Sequence, residues 1–183
     1  MLLFDYSSGM QLQGSLLDTE ISDAVGASWA APRPKRLALD ARSWVDHQPG
    51  WIAGSDLVFR ELLEVVDWRA DERPMYDRIV AVPRLTQFFR EGEVVPHATV
   101  EALRHTLSEH YRPELGEPFA SVGMCLYRDG RDSVAWHGDR DGRASTHDTV
   151  VAIVSLGSPR TLAFRRRDRG PTLHRFAAGQ TDR

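Results

Sequence analysis

Between Arg78 and Phe176 the chain repeatedly interrupts short, β-branched apolar runs with turn residues, and this rhythm restricts its fold more than any other feature. The runs are Arg78-Ile79-Val80-Ala81-Val82, the stretch from Ala120 to Tyr127 and the stretch from Thr149 to Leu156, followed by Thr161-Leu162-Ala163-Phe164 and Leu173-His174-Arg175-Phe176. Each is short enough and apolar enough for a strand. Arg128-Asp129-Gly130-Arg131-Asp132 carries the Asp-Gly pair favoured in tight hairpins, Gly157-Ser158-Pro159 ends the third run, and Asp168-Arg169-Gly170-Pro171 separates the last two. Upstream the period changes. From Ser55, expected as an N-cap, Val58, Phe59, Leu62, Leu63 and Val66 recur at helical spacing. A second helix is expected from Thr99, with Val100, Leu103, Leu107 and Tyr111 on one stripe, ending before Pro113 because the residue preceding proline disfavours helix. Both helices read as covers for a sheet.

Ala31-Pro32-Arg33-Pro34-Lys35-Arg36 predicts an extended, helix-free connector, and little core is expected before residue 40. Helices first and closely spaced strands afterwards predict a mixed α/β chain with a mainly β core, a sandwich or jelly roll covered by helices. At 183 residues one domain is expected, read as an irregular segment over 1–50 and a globular domain over 51–183.

Charge and cysteine usage narrow the class. One cysteine, Cys125, excludes an intramolecular disulfide and fits a reducing compartment, so the expectation is a cytoplasmic protein with a small buried thiol. No apolar run approaches the length that crosses a bilayer, and the N-terminus lacks the pattern of a secretory signal. The net charge of −3 offers no overall attraction to phosphate, but its distribution is uneven. Residues 1–124 hold 12 basic and 19 acidic side chains, whereas residues 125–183 hold 11 and 7. Much of the positive excess lies in Arg160 and Arg165-Arg166-Arg167-Asp168-Arg169, either a phosphate contact or a solvated arginine-rich turn.

In Trp136-His137-Gly138-Asp139 one residue separates the histidine from the aspartate. On an extended backbone their side chains leave the same face and can converge on one ion. An imidazole, a carboxylate and a second histidine form the facial triad that leaves positions open on Fe(II). By itself such a triplet is unspecific, and a polar loop after a strand is the commoner reason for it.

Its neighbours make it specific. Leu126-Tyr127-Arg128, Asp132-Ser133-Val134-Ala135-Trp136-His137-Gly138-Asp139 and Val154-Ser155-Leu156-Gly157-Ser158-Pro159-Arg160 stand in order, with Met75-Tyr76-Asp77 and Val82-Pro83-Arg84 upstream. This arrangement resembles the AlkB-type family of Fe(II)- and 2-oxoglutarate-dependent dioxygenases, which repair alkylated nucleic acid bases on a double-stranded β-helix. The resemblance is densest from Ser121 to Phe164. It implies that His137 and Asp139 are metal ligands and that Tyr127 donates a hydrogen bond to bound 2-oxoglutarate. It places Asp141 where an acidic residue contacts the target base, and Arg84, Phe88 and Phe89 in the region that meets substrate, where an aromatic ring stacks on a flipped-out base. Asp141 reads equally as a surface turn carboxylate, and the two phenylalanines as core or lid packing. Cys125 stands where the family commonly has an asparagine beside the cosubstrate, and a thiol is the weaker partner.

The family pattern continues beyond the strand around Phe176 with a distal histidine ligand and arginines that hold the 2-oxoglutarate carboxylate. Here the sequence reads Ala178-Gly179-Gln180-Thr181-Asp182-Arg183 and stops, so the expectation is a C-terminally incomplete catalytic core, with uncovered strand edges that favour association. His174 falls in the register of the strand before the distal ligand, His147 in a polar loop, and His47, His97, His105 and His110 upstream. Three functions follow. The first is oxidative dealkylation of DNA or RNA bases, the second a catalytically incomplete descendant or fragment that binds nucleic acid or protein, and the third an oxygenase of another substrate on the same scaffold.

Overall fold

The computed structural model describes residues 2–5, 27–41, 43–75, 78–137, 150–166 and 172–178. Their centre is a five-stranded sheet built from β1 (Leu2–Asp5), β4 (Arg69–Met75), β5 (Arg78–Phe89), β6 (Val122–Tyr127) and β7 (Val154–Gly157), in the order β4-β5-β6-β1-β7. β4, β5 and β6 run antiparallel, whereas β1 lies parallel to both β6 and β7, so the sheet is mixed. Two small antiparallel sheets accompany it, β2 (Lys35–Ala38) with β3 (Trp44–His47), and β8 (Arg160–Arg165) with β9 (Thr172–Ala178). The chain is thus mixed α/β, mainly strands with two helices. The segment expected to be irregular contributes β1, β2 and β3. Leu2-Leu3-Phe4-Asp5 is too short a run to announce a strand, and only the free edges of β6 and β7 give it partners.

Alternation along β6 sets the two faces of the sheet. Val122, Met124 and Leu126 pack with Val58, Phe59, Leu62 and Val66 of α1 (Ser55–Val65) and its cap, with Val100 of α2 (Ala98–Leu115) and with Leu156 of β7. Leu85 and Phe89, cross-strand partners of Leu126 and Val122, join the same cluster. Leu62 has no exposed surface. Burying a leucine of this kind contributes about 1.5–3 kcal/mol by transfer alone.

Several local expectations are corrected by the structure. Ser55 is the first helical residue of α1, and the N-cap is Gly54, whose φ of 72° is open to glycine at little cost. α2 begins at Ala98 and does not stop before Pro113. Its N-cap is His97, whose Nδ1 accepts from the Thr99 amide at 3.2 Å, and it runs two residues past the proline. One missing N–H costs the last turn only one bond, and Gly116, in the left-handed region, closes the helix on the Arg112 carbonyl at 2.9 Å. β5 passes through Pro83 to Phe89 instead of ending at Val82. Pro83 sits where the β4 register shifts and before pairing with β6 begins, so no ladder bond needs its absent donor. The Asp129-Gly130 turn closes no hairpin. It is held by its own ions, and after it the chain crosses to β5, the Ser133 amide donating to the Pro83 carbonyl at 2.8 Å. The expected turn at 168–171 lies outside the described residues.

Candidate functional site

The second face of the sheet is polar. Thr86 and Phe88 of β5 stand opposite Cys125 and Gly123 of β6. Arg84 shares their side by alternation, and its guanidinium acts electrostatically on both the Tyr127 hydroxyl and the Cys125 thiol. Asp71 of β4 accepts from the Thr86 hydroxyl at 2.5 Å. The result is a strip of carboxylate, hydroxyl, guanidinium, thiol and phenol across three strands, backed by the apolar helix-covered face.

Within the strip Tyr127 and Cys125 are buried, and Nε of Arg84 is a buried donor with no partner among the described residues. A buried N–H of this kind is uncommon unless a ligand or water completes it. Burial pushes the Tyr127 hydroxyl above its ordinary value and Arg84 partly offsets this; the same two causes act on Cys125. Both groups are therefore protonated at neutral pH.

Above Tyr127 lies an ionic knot. Arg128 donates from its backbone amide and its guanidinium to the Asp132 carboxylate at 2.8–2.9 Å, and these bonds hold that carboxyl below its usual range despite burial. Asp129, paired with Arg131, is pulled down to about 2. Arg160, the first residue of β8, places its guanidinium 4.4 Å from the centre of the Tyr127 ring and donates to the backbone carbonyls of Asp132 at 2.7 Å and Asp129 at 3.4 Å.

The segment leaving this knot carries His137. Its side chain is exposed, and Nδ1 lies 2.8 Å from the Ala135 carbonyl oxygen. That contact assigns the proton to Nδ1 and makes Nε2 the basic nitrogen, the tautomer in which a histidine ligates a metal while its other nitrogen is held by a carbonyl. Trp136, 48 % exposed, carries the Arg165 guanidinium 4.2 Å from its ring centre.

The site residues expected from sequence thus divide. Tyr127 and Arg84 meet at the floor of the strip. Phe88 is on the same face, 56 % exposed, its ring over Gly123, while Phe89 points the other way into the helix-side cluster. Asp139 and Asp141 lie outside the described residues. His174 stands on β9 near Phe176, and His47 also meets that ring. His97 is occupied with Thr99 and Glu61, and His110 meets the edge of Tyr111. Among the described residues no three His, Cys, Asp or Glu side chains gather as a metal site. Sequence reading missed Asp71, Thr86 and the part played by Arg160. The first two required knowing that β5 continues through Pro83, after which the i, i+2 spacing of Arg84, Thr86 and Phe88 is a legible signal.

Comparison with known proteins finds distant relatives. The chain is 28% identical over 128 residues to human alpha-ketoglutarate-dependent dioxygenase alkB homolog 3, covering 65% of this chain and 44% of that protein. The rat protein of the same name is 29% identical over 128 residues, with 65% and 43% covered, and the bovine one 28% over 132 residues. The chain is distantly similar to AlkB-type dioxygenases. It spans less than half the length of these curated relatives. No family profile matches it. No helix among the described residues is long and apolar enough to cross a membrane.

Proposed function

We propose that the chain carries part of an Fe(II)- and 2-oxoglutarate-dependent dioxygenase that oxidatively dealkylates DNA or RNA bases. The observation that carries this reading is the polar strip: a buried Arg84 Nε without a partner among the described residues, beside a protonated Tyr127 hydroxyl, at the foot of the segment that carries His137. The donor set suits an anionic, oxygen-rich ligand, because Arg84 offers N–H donors and Tyr127 an O–H donor side by side. The similarity to alkB homolog 3 supports the choice of ligand and reaction.

In this reading Fe(II) with 2-oxoglutarate supplies the means to oxidise an unreactive alkyl carbon with dioxygen. His137 and Asp139 hold the metal, His137 through Nε2 with its ring set by the Ala135 carbonyl. Tyr127 donates to the cosubstrate, with the Arg84 charge beside it. The helix-covered face keeps the strip rigid, so that the reacting groups are held in register. Arg84, Phe88 and Asp141 face the base, Phe88 offering a ring for stacking; Phe89, packed toward the helices, supports that strand. The jelly-roll completion of the sheet, the division into 1–50 and 51–183, association through strand edges and a cytoplasmic location belong to the same proposal.

The test combines the chain with Fe(II), 2-oxoglutarate and an N-methylated oligonucleotide under air and measures succinate and formaldehyde. Both products are expected in equal amounts. Succinate without demethylation would redirect the reading to another substrate. Absence of both products, with oligonucleotide binding that needs no iron and weakens with salt, would replace the enzyme by a binding module.

A further inference from the structure

We propose that Arg160 is a positioning residue, which fixes the ring of Tyr127 and the loop leading to His137 in one register and so sets the strength of cosubstrate binding. The inference deepens the functional reading above and rests on it for the identity of the ligand; the fixing of the ring does not.

The argument starts from the turn at Gly157. With φ at 79° the chain reverses there, and three residues later Arg160 opens β8 over the end of β6. Its guanidinium then meets two different objects. Its carbon lies 4.4 Å from the Tyr127 ring centre, within the range of a cation–π contact. Its nitrogens donate to the carbonyls of Asp132 and Asp129, which belong to the loop between β6 and His137. That loop is already closed on itself by the buried Asp132 carboxylate and Arg128. Arg160 therefore fastens a rigid loop to a ring.

Geometry separates this role from general packing. The planar fork of an arginine spans two carbonyls while keeping its face on an aromatic ring, and a lysine ammonium does not. A phenol ring without a cation on its face keeps its burial but gains freedom about χ1, and the direction of its O–H blurs. Since Tyr127 is the residue assigned above to donate to the cosubstrate, that freedom is read directly as weaker ligand binding. The effect must pass through the hydroxyl, which gives the claim a specific signature.

The experiment uses the full chain with 3-fluorotyrosine at its 4 tyrosines, as wild type, Arg160→Gln and Arg160→Lys, each with and without Tyr127→Phe. Fluorine NMR, with the Tyr127 signal assigned by its loss in Tyr127→Phe, is expected to show that signal shifted and broadened in Arg160→Gln and intermediate in Arg160→Lys, with the Tyr111 signal unchanged. Calorimetry with 2-oxoglutarate and Mn(II), which avoids turnover, is expected to show affinity about fivefold weaker in Arg160→Gln, and less than twofold weaker when Tyr127→Phe is already present. An unmoved Tyr127 signal overturns the proposal. Equal weakening in both backgrounds also overturns it, because Arg160 would then act through the fold at large. If the wild type binds no 2-oxoglutarate, the functional reading fails, while the fluorine signal alone decides whether Arg160 fixes the ring. Arg160→Lys keeps the test open should Arg160→Gln not fold.

Discussion

The two faces of the five-stranded sheet are made by the same strands and behave oppositely. On one, Leu85, Phe89, Val122, Met124, Leu126 and Leu156 interlock with the helices, and identity matters through volume and shape. On the other, Thr86 is hydrogen-bonded to Asp71 and Arg84 acts electrostatically on Cys125 and Tyr127, and identity matters through which atoms donate. A single β6 residue step changes one role into the other. The chain thus separates what holds it together from what it does, across the thickness of one sheet.

The strongest attempt to break this comparison is Leu62→Ala. It removes a fully buried side chain from the helix face and is expected to lower unfolding stability by about 2–5 kcal/mol, read by denaturant titration. A change under 1 kcal/mol would mean that the helices do not anchor the sheet.

Tyr127→Phe probes the opposite face. The ring and its packing remain, so stability should fall by no more than about 1 kcal/mol, whereas 2-oxoglutarate affinity should fall by about 1.5–3 kcal/mol for a lost hydrogen bond to a charged group. Equal effects on both measurements would erase the distinction between the faces.

Asp132→Asn tests the knot above Tyr127. Arg128 holds the native carboxyl below its ordinary 3.8, so its stabilisation is present in full above that value and is lost as pH falls through the lower, folded value. The variant is expected to be about 1 kcal/mol less stable at pH 7, and the gap should close on acidification. A gap that stayed constant with pH would remove the ion pair as its cause.

Phe88→Ala has the smallest expected effect on the fold. Its exposed ring should change stability by about 0.5 kcal/mol or less, while oligonucleotide affinity drops by about 1 kcal/mol. A large loss of stability would make Phe88 a core residue in spite of its exposure.

Much of this was legible before any coordinates. The 3.6-residue recurrence of Val58, Leu62 and Val66 marks the face of α1 that is buried, and the apolar runs at β5, β6 and β7 mark the sheet. His137 and Tyr127 stand out by motif. The edges of these elements were not legible, because local preference for a boundary at Pro83 or Pro113 is about as strong as one hydrogen bond and tertiary pairing outweighs it. β1 was not legible either, since four residues carry no usable periodicity.

The sequence by itself determined the periodicities, the order of the motifs, the single thiol and the uneven charge, because these depend only on neighbours along the chain. Only the tertiary structure decided that Phe88 and Phe89 part to opposite faces, that Asp71 reaches Thr86, and that Arg160 lies on Tyr127 while gripping Asp129 and Asp132. Those contacts join residues of different strands and loops, and their geometry follows from register and from the reversal at Gly157. A one-residue change of register would undo each of them while leaving every local pattern intact.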